Sequence, residues 1–247
     1  MDFSNFFSAL ATKFLSSLVI RKLSLHVLDD TKTGLELCLW TTTIIQCQLQ
    51  IVLTWPLPHH RNHVKALTCA FDAMSLPFLT QLRISTLDYI DSQTWVNTFG
   101  KLPLLKLVRV KGCALHSFLD ALVYKTMAAK KSKTAYLNVS FPKLRHIDLK
   151  GADFTGTDPR SISVHMLLDF LMERCERKAG VRLLRLQECY NIHSDDVERL
   201  EEVVGVIWVG IVQEVLEEEK DYDSDGNTID SESDDLEDYD DFPSIWG

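Results

Sequence analysis

No window of this chain reaches the roughly 18 consecutive apolar residues of a membrane span. Met1-Asp2-Phe3-Ser4-Asn5 lacks the basic flank and unbroken apolar core of a secretory signal, so an intracellular home is expected. Cysteine is sparse. The six residues Cys38, Cys47, Cys69, Cys113, Cys175 and Cys189 include no C-x-x-C pair and no dense framework, which suits reduced thiols in the cytoplasm or nucleus rather than disulfides. Also missing are H-E-x-x-H, G-x-S-x-G, G-x-x-x-x-G-K-[ST] and G-x-G-x-x-G, and with them the usual arrangements for zinc hydrolysis, serine nucleophiles and phosphate cradles. Neither catalysis nor a cofactor is expected.

What the chain does contain is one template, four times over: Leu79-x-x-Leu82-x-Ile84-x-x-Leu87, Leu105-x-x-Val108-x-Val110-x-x-Cys113, Leu144-x-x-Ile147-x-Leu149-x-x-Ala152 and Val181-x-x-Leu184-x-Leu186-x-x-Cys189. This is the strand pattern of leucine-rich repeats, in which each short strand lies beside the previous one and no repeat buries its apolar face alone. Ile84 and Val110 are 26 residues apart, inside the roughly 20 to 29 of such repeats, whereas the next intervals of 39 and 37 residues imply inserts. Cys113 and Cys189 occupy the place after the strand where Asn or Cys is preferred, a structural role.

Between the strands lie helix signals. Ser92 precedes Trp95, Val96 and Phe99, with Gly100 as a stop; Ser117 precedes Phe118, Leu119, Ala121 and Leu122; Ser163 precedes Leu167, Leu168, Phe170, Leu171 and Cys175, closed by Gly180. Up to about Met74 the chain reads as repeats in weaker register. Both Ile20-x-x-Leu23-x-Leu25-x-x-Leu28 and a frame beginning at Leu15 fit, each giving a strand near 18–26. The alternating runs Leu35-x-Leu37-x-Leu39 and Leu49-x-Ile51-x-Leu53 predict further strands with one buried face. At the far end Ser194-Asp195-Asp196 opens a helix through Val197, Leu200 and Val203, and Val206-Ile207-Trp208-Val209 is a last strand or apolar cap.

The 247 residues, 46% of them hydrophobic, suffice for a sizeable core. Charge is unevenly distributed: residues 214–241 hold 15 acidic residues and only Lys220 as a cation, leaving 25 basic and 20 acidic residues in 1–213. The expected organisation is an α/β, irregular leucine-rich repeat solenoid over 1–213, a horseshoe-like stack of short parallel strands and helices in about six repeats, followed by a disordered acidic tail over 214–247.

If the leucines point inward, the residues between them line the open face of the sheet: Gln81, Arg83, Ser85; Leu107, Arg109, Lys111; His146, Asp148, Lys150; Leu183, Arg185, Gln187. Five of the twelve are Lys or Arg and only Asp148 is acidic, which points to an acidic or phosphorylated protein partner. The partner-binding candidates are Arg83, Arg109, Lys111, His146, Asp148, Lys150, Arg185 and Gln187. A charged but merely solvated face is the plain alternative. Another is that the tail itself folds back over Arg83, Arg109, Lys111, Lys150 and Arg185.

Three further clusters compete for attention. Lys125, Lys130, Lys131 and Lys133 are basic, but only Tyr124 and Tyr136 lie near them, so a solvated loop is preferred to nucleic-acid binding. His59-His60-Arg61-Asn62-His63 with Cys69 reads as a loop after Pro56 and Pro58 and fits no zinc spacing. Asp221-x-Asp223-x-Asp225-Gly226-x5-Glu232 satisfies the calcium-loop pattern. It lacks an amphipathic helix after Glu232, so an acidic tract matching by composition is preferred to a tight metal site. A calcium-responsive or polyanionic-tail regulatory binding protein, unrelated to ubiquitination, is the rival functional reading.

The stretches Phe141-Pro142-Lys143-Leu144-Arg145-His146-Ile147-Asp148-Leu149, Leu167-Leu168-Asp169-Phe170-Leu171-Met172-Glu173-Arg174 and Leu184-x-Leu186-x-x-Cys189-Tyr190-Asn191-Ile192-x-Ser194-Asp195-Asp196-Val197 resemble the fungal families of F-box proteins with divergent leucine-rich repeats, over about residues 15 to 212. The resemblance implies a substrate-recognition scaffold of a cullin ubiquitin ligase, whose F-box helices would dock on a Skp1-type adaptor. The chain departs from that pattern. No Leu-Pro followed by an amphipathic helix precedes the first repeat, and Phe6, Phe7, Leu10 and Phe14 suit only the tail of such a helix, so adaptor binding is doubtful. A truncated gene model, a fragment and a paralogue without adaptor binding all remain open.

Overall fold

The computed structural model describes residues 3–15, 18–27, 34–41, 49–54, 60–74, 76–85, 90–112, 115–123, 139–156 and 161–210. Among them are eight strands, β1 (Lys22–Val27), β2 (Gly34–Trp40), β3 (Leu49–Thr54), β4 (Gln81–Ser85), β5 (Leu107–Lys111), β6 (His146–Lys150), β7 (Leu183–Gln187) and β8 (Gly205–Val209). Six α-helices accompany them: α1 (Phe3–Leu10), α2 (His60–Ala73), α3 (Ser92–Thr98), α4 (Leu115–Val123), α5 (Val164–Glu176) and α6 (Ser194–Glu201). The strands form one sheet in the order β3-β2-β1-β4-β5-β6-β7-β8.

From β1 through β4 to β8 every pairing is parallel and in step. Leu23 lies beside Leu82, then Val108, Ile147, Leu184 and Val206; Leu25 lies beside Ile84, Val110, Leu149, Leu186 and Trp208. This selects the frame beginning at Ile20 for the first strand. The alternation of the template supplies the reason, since a period of two puts both leucine positions of each strand on the same face. Those positions are buried from β1 to β7, against helix residues such as Trp95, Phe118, Leu167 and Leu200.

Each parallel strand begins in the same way. The Arg21 carbonyl accepts the N–H groups of Thr80 and Gln81, that of Thr80 accepts Lys106 and Leu107, that of Lys106 accepts Arg145 and His146, and that of Arg145 accepts Arg182 and Leu183. The turn after the strand recurs too. Gly112 and Gly151 follow β5 and β6 with φ of 83° and 65°, and Glu188 follows β7 at 49°. The left-handed region costs a side chain roughly 1–2 kcal/mol, so Glu188 is the strained member of the set.

Aromatic rings join neighbouring units beneath the sheet. Phe71 of α2 meets Phe99 edge-on at 4.7 Å, Trp95 of α3 lies 5.3 Å from Phe99 and 4.9 Å from Phe118 of α4, and Phe118 reaches Phe141 at 5.8 Å. Trp95 also donates its indole N–H to the Ser117 hydroxyl at 3.2 Å, so the buried ring leaves no donor unpaired.

Arg174, wholly buried on α5, holds a second junction together. Its guanidinium donates to the carbonyls of Leu122 (3.1 Å), Ser140 (2.9 Å) and Phe141 (3.0 Å). It thus caps the end of α4 and the approach to β6 at once, and satisfies the main-chain carbonyl of Phe141, held at φ 56°. Burial, with Arg145 and Arg177 nearby, lowers its pKa to about 10, so it stays charged at neutral pH.

Several expectations need correction. The stretch before Met74 is not a series of parallel repeats: β1–β2 and β2–β3 pair antiparallel. The histidine stretch is not a loop, because α2 begins at His60. Asp91 rather than Ser92 caps α3, its side chain accepting from the Thr94 main-chain N–H, and Ser117 lies inside α4, whereas Ser163 caps α5 as expected, accepting from the Met166 N–H. Cys113, the Lys125–Lys133 cluster, the acidic tail with its 213/214 boundary and the calcium-loop candidates Asp221, Asp223, Asp225 and Glu232 lie outside the described residues. No helix among the described residues is long and apolar enough to cross a membrane.

Candidate functional site

The helices cover one face of the sheet, and the other face carries the residues between the leucines. Register sets them in three rows across the strands. The first runs Trp40, Lys22, Gln81, Leu107, His146, Leu183 and Gly205. The middle row is Cys38, Ser24, Arg83, Arg109, Asp148, Arg185 and Ile207, and the third is Glu36, His26, Ser85, Lys111, Lys150, Gln187 and Val209. All eight sequence-predicted binding residues therefore come together on one face. Adjacent strands lie about 4.8 Å apart, so neighbours in a row are within side-chain reach.

These residues are not equivalent. Asp148 is only 4% exposed, a position that would cost a lone carboxylate several kcal/mol. Arg109 compensates: its Nε and Nη2 grip Asp148 Oδ2 at 2.6 and 2.5 Å. Asp148 Oδ1 and the Nε of Arg185, its neighbour on the opposite side, are buried with no hydrogen-bond partner among the described residues. The carboxylate thus sits between two guanidinium groups and orients the face rather than offering itself to a partner. Lys150 is likewise engaged, at 3.0 Å from the Glu188 carboxylate, and Ser85 is buried. Lys111 is exposed and Arg185 half-buried, and both lack an ion-pair partner among the described residues, so they are the least compensated cations of the middle strands.

The face also has an extent that the template could not supply. On β1, His26 continues the third row and the Lys22 ammonium lies over the Trp40 ring at 4.5 Å. On β2 the Glu36 carboxylate accepts from the Gln50 side-chain amide. At the other edge, β8 presents Ile207 and Val209, the latter 51% exposed. From β2 to β8 the face therefore passes from a mixed polar margin holding Glu36, His26 and Lys22 through the cations of β4 to β7 to an apolar edge.

This arrangement presents a charged surface suited to binding. Cys189, buried behind β7, donates its thiol to the Leu149 and Gln187 carbonyls at 3.7 and 3.4 Å. Burial raises its pKa to about 11, which keeps it a thiol at neutral pH and agrees with a structural role. No cluster of three or more His, Cys, Asp or Glu placed to hold a metal ion occurs among the described residues. No protein-family model matches the chain, and neither a curated protein nor a solved structure matches it.

Proposed function

We propose that the chain is a non-catalytic protein-recognition scaffold of the leucine-rich repeat type, whose open sheet face takes an acidic or phosphorylated protein partner. The observation that carries this reading is the convergence of Arg83, Arg109, Lys111, Lys150 and Arg185 on the solvent side of four adjacent parallel strands. A sheet face whose cations are set in register, with Lys111 and Arg185 lacking an ion-pair partner among the described residues, is suited to steering and orienting an anionic partner. Half-buried Leu107 and Leu183 beside them supply apolar contact of the kind that gives a charged face affinity as well as speed.

The resemblance to the receptor part of an F-box ubiquitin ligase makes a protein destined for ubiquitination the natural ligand, with the cytoplasm or nucleus as its place. Affinity capture from the cell of origin, followed by mass spectrometry, tests both levels. Recovery of specific proteins by the unaltered chain and their loss with Lys111→Glu/Arg185→Glu is the expected result. Retention of every partner by that variant would remove the face from consideration, and absence of an adaptor and cullin would separate the scaffold from ubiquitin ligases.

A further inference from the structure

The parallel strands all start from the same side of the sheet, so the residues just before them form a continuous rim. Arg21, Thr80, Lys106, Arg145 and Arg182, the residues whose carbonyls take the shared hydrogen bonds, stand there side by side. The turns leading to them add Lys101, Lys143, Arg177 and Lys178. Among the described residues, the acids in the helix ends and turns that lead to this rim are Asp72 in the last turn of α2, Glu173 and Glu176 in the last turn of α5, and Glu201 and Glu202 beyond β7, fewer than the cations there.

Some of these cations have structural work. Arg145 donates to the Leu144 and Gly180 carbonyls at 3.1 Å each, Arg177 pairs with Glu173, and Arg21 lies over the Phe78 ring at 5.5 Å. Lys101 and Lys178 follow α3 and α5, where a cation is favoured by the negative end of the helix dipole. Lys106, Lys143 and Arg182 have neither explanation. Each is exposed and lacks an ion-pair partner among the described residues, and Lys106 and Arg182 stand two strands apart, about 10 Å from one another.

We propose that this rim is a second docking strip, and that it receives an acidic segment of the bound protein running across the strands. The proposal rests on the protein-recognition reading of the sheet face and extends that surface around its edge, since Lys106 and Arg182 immediately precede the face residues Leu107 and Leu183. An acidic peptide suits the strip better than a nucleic acid. Single-stranded nucleic acid calls for aromatic platforms between the charges, and the rings described near the rim, Phe78 beneath Arg21 and half-buried Trp40 beneath Lys22, both stand at its β1 end, away from Lys106, Lys143 and Arg182. A carboxylate-bearing chain needs only charges at side-chain spacing.

The test is fluorescence anisotropy of a labelled polyglutamate peptide against the full chain over a range of salt concentrations, with labelled oligothymidylate as the second probe. Two variants are compared, Lys106→Glu/Lys143→Glu/Arg182→Glu on the rim and Lys111→Glu/Arg185→Glu on the face, each checked for an unchanged melting transition. The rim variant is expected to bind the peptide about tenfold more weakly at low salt and with a shallower salt dependence. Peptide binding equal to that of the unaltered chain overturns the rim, as does failure of the unaltered chain to bind the peptide at low salt. Tighter binding of oligothymidylate than of peptide, lost with the rim variant, overturns the acidic-segment assignment in favour of nucleic acid. The face variant reports separately: if it alone is without effect, the face reading fails while the rim stands.

Discussion

The first three strands and the last five share one sheet and one alternating pattern, yet they are built differently. β1, β2 and β3 fold back on one another, while β4 to β8 run parallel, each but the last leading into a helix that returns the chain to the starting edge. The distinction lies in the connections. Only residues 28–33 and 41–48 separate β1 from β2 and β2 from β3, too few for the dozen or more that a parallel crossover needs. Alternation therefore tells which side chains are buried, and connection length tells which way the next strand runs.

The largest effect is expected at the clamp peculiar to the parallel part. Arg174→Leu leaves the carbonyls of Leu122, Ser140 and Phe141 without their donor and is expected to cost about 4 kcal/mol in urea denaturation, since each orphaned buried acceptor costs roughly 1–3. A loss under about 1 kcal/mol would show that the clamp is dispensable.

Next come two matched cavities, Leu37→Ala in the antiparallel part and Leu149→Ala in the parallel part, each expected to cost about 3 kcal/mol. Because both side chains belong to one continuous core, each variant should lower the midpoint of a single transition. Two separated transitions would make the first three strands a unit of their own.

A pH experiment sharpens the comparison on the parallel side. Cys189 has its pKa raised from 9.0 to about 11 in the folded state, mainly by burial. The unfolded chain therefore loses this proton first. The stabilisation is fully present below pH 9 and falls away between pH 9 and 11, by about 2 kcal/mol. Cys189→Ala is expected to flatten that part of the stability profile, and an unchanged alkaline slope would refute the assignment.

The smallest effect concerns the recurrent turn. Gly151→Ala meets no atom within 4 Å, so its expected cost of about 1 kcal/mol comes from φ of 65° alone. Glu188→Gly should run the other way by a smaller amount, because relief of the left-handed conformation is offset by loss of the Lys150 pair and by greater freedom of the unfolded chain. Equal and opposite changes would mean that the ion pair contributes nothing.

Strands β4 to β7 were legible because their leucines repeat at fixed offsets, and the face residues followed from alternation alone. Helix α2 was missed although Leu67, Ala70 and Met74 carry a helical spacing, because Pro56, Pro58 and the run of polar residues between them and Val64 suggested a loop. Ser117 misled in another way. A serine ahead of an apolar run signals a cap, but this one accepts a hydrogen bond from a buried tryptophan of the preceding helix. The rim was not read from the sequence because its members lie in separate turns, joined only by the shared carbonyls.

The sequence by itself determined which residues of each strand are buried, how far apart the parallel units fall, and that the residues between the leucines carry an excess of positive charge. These are local quantities, set by side-chain type and spacing. Only the tertiary structure decided that Arg109 is neutralised by Asp148 and Lys150 by Glu188, while Lys111 and Arg185 lack such partners among the described residues. It also decided that Lys106 and Arg182 share an edge. Such pairings join residues tens of positions apart, and they depend on distances of a few ångströms that exist only once the strands have been set in register.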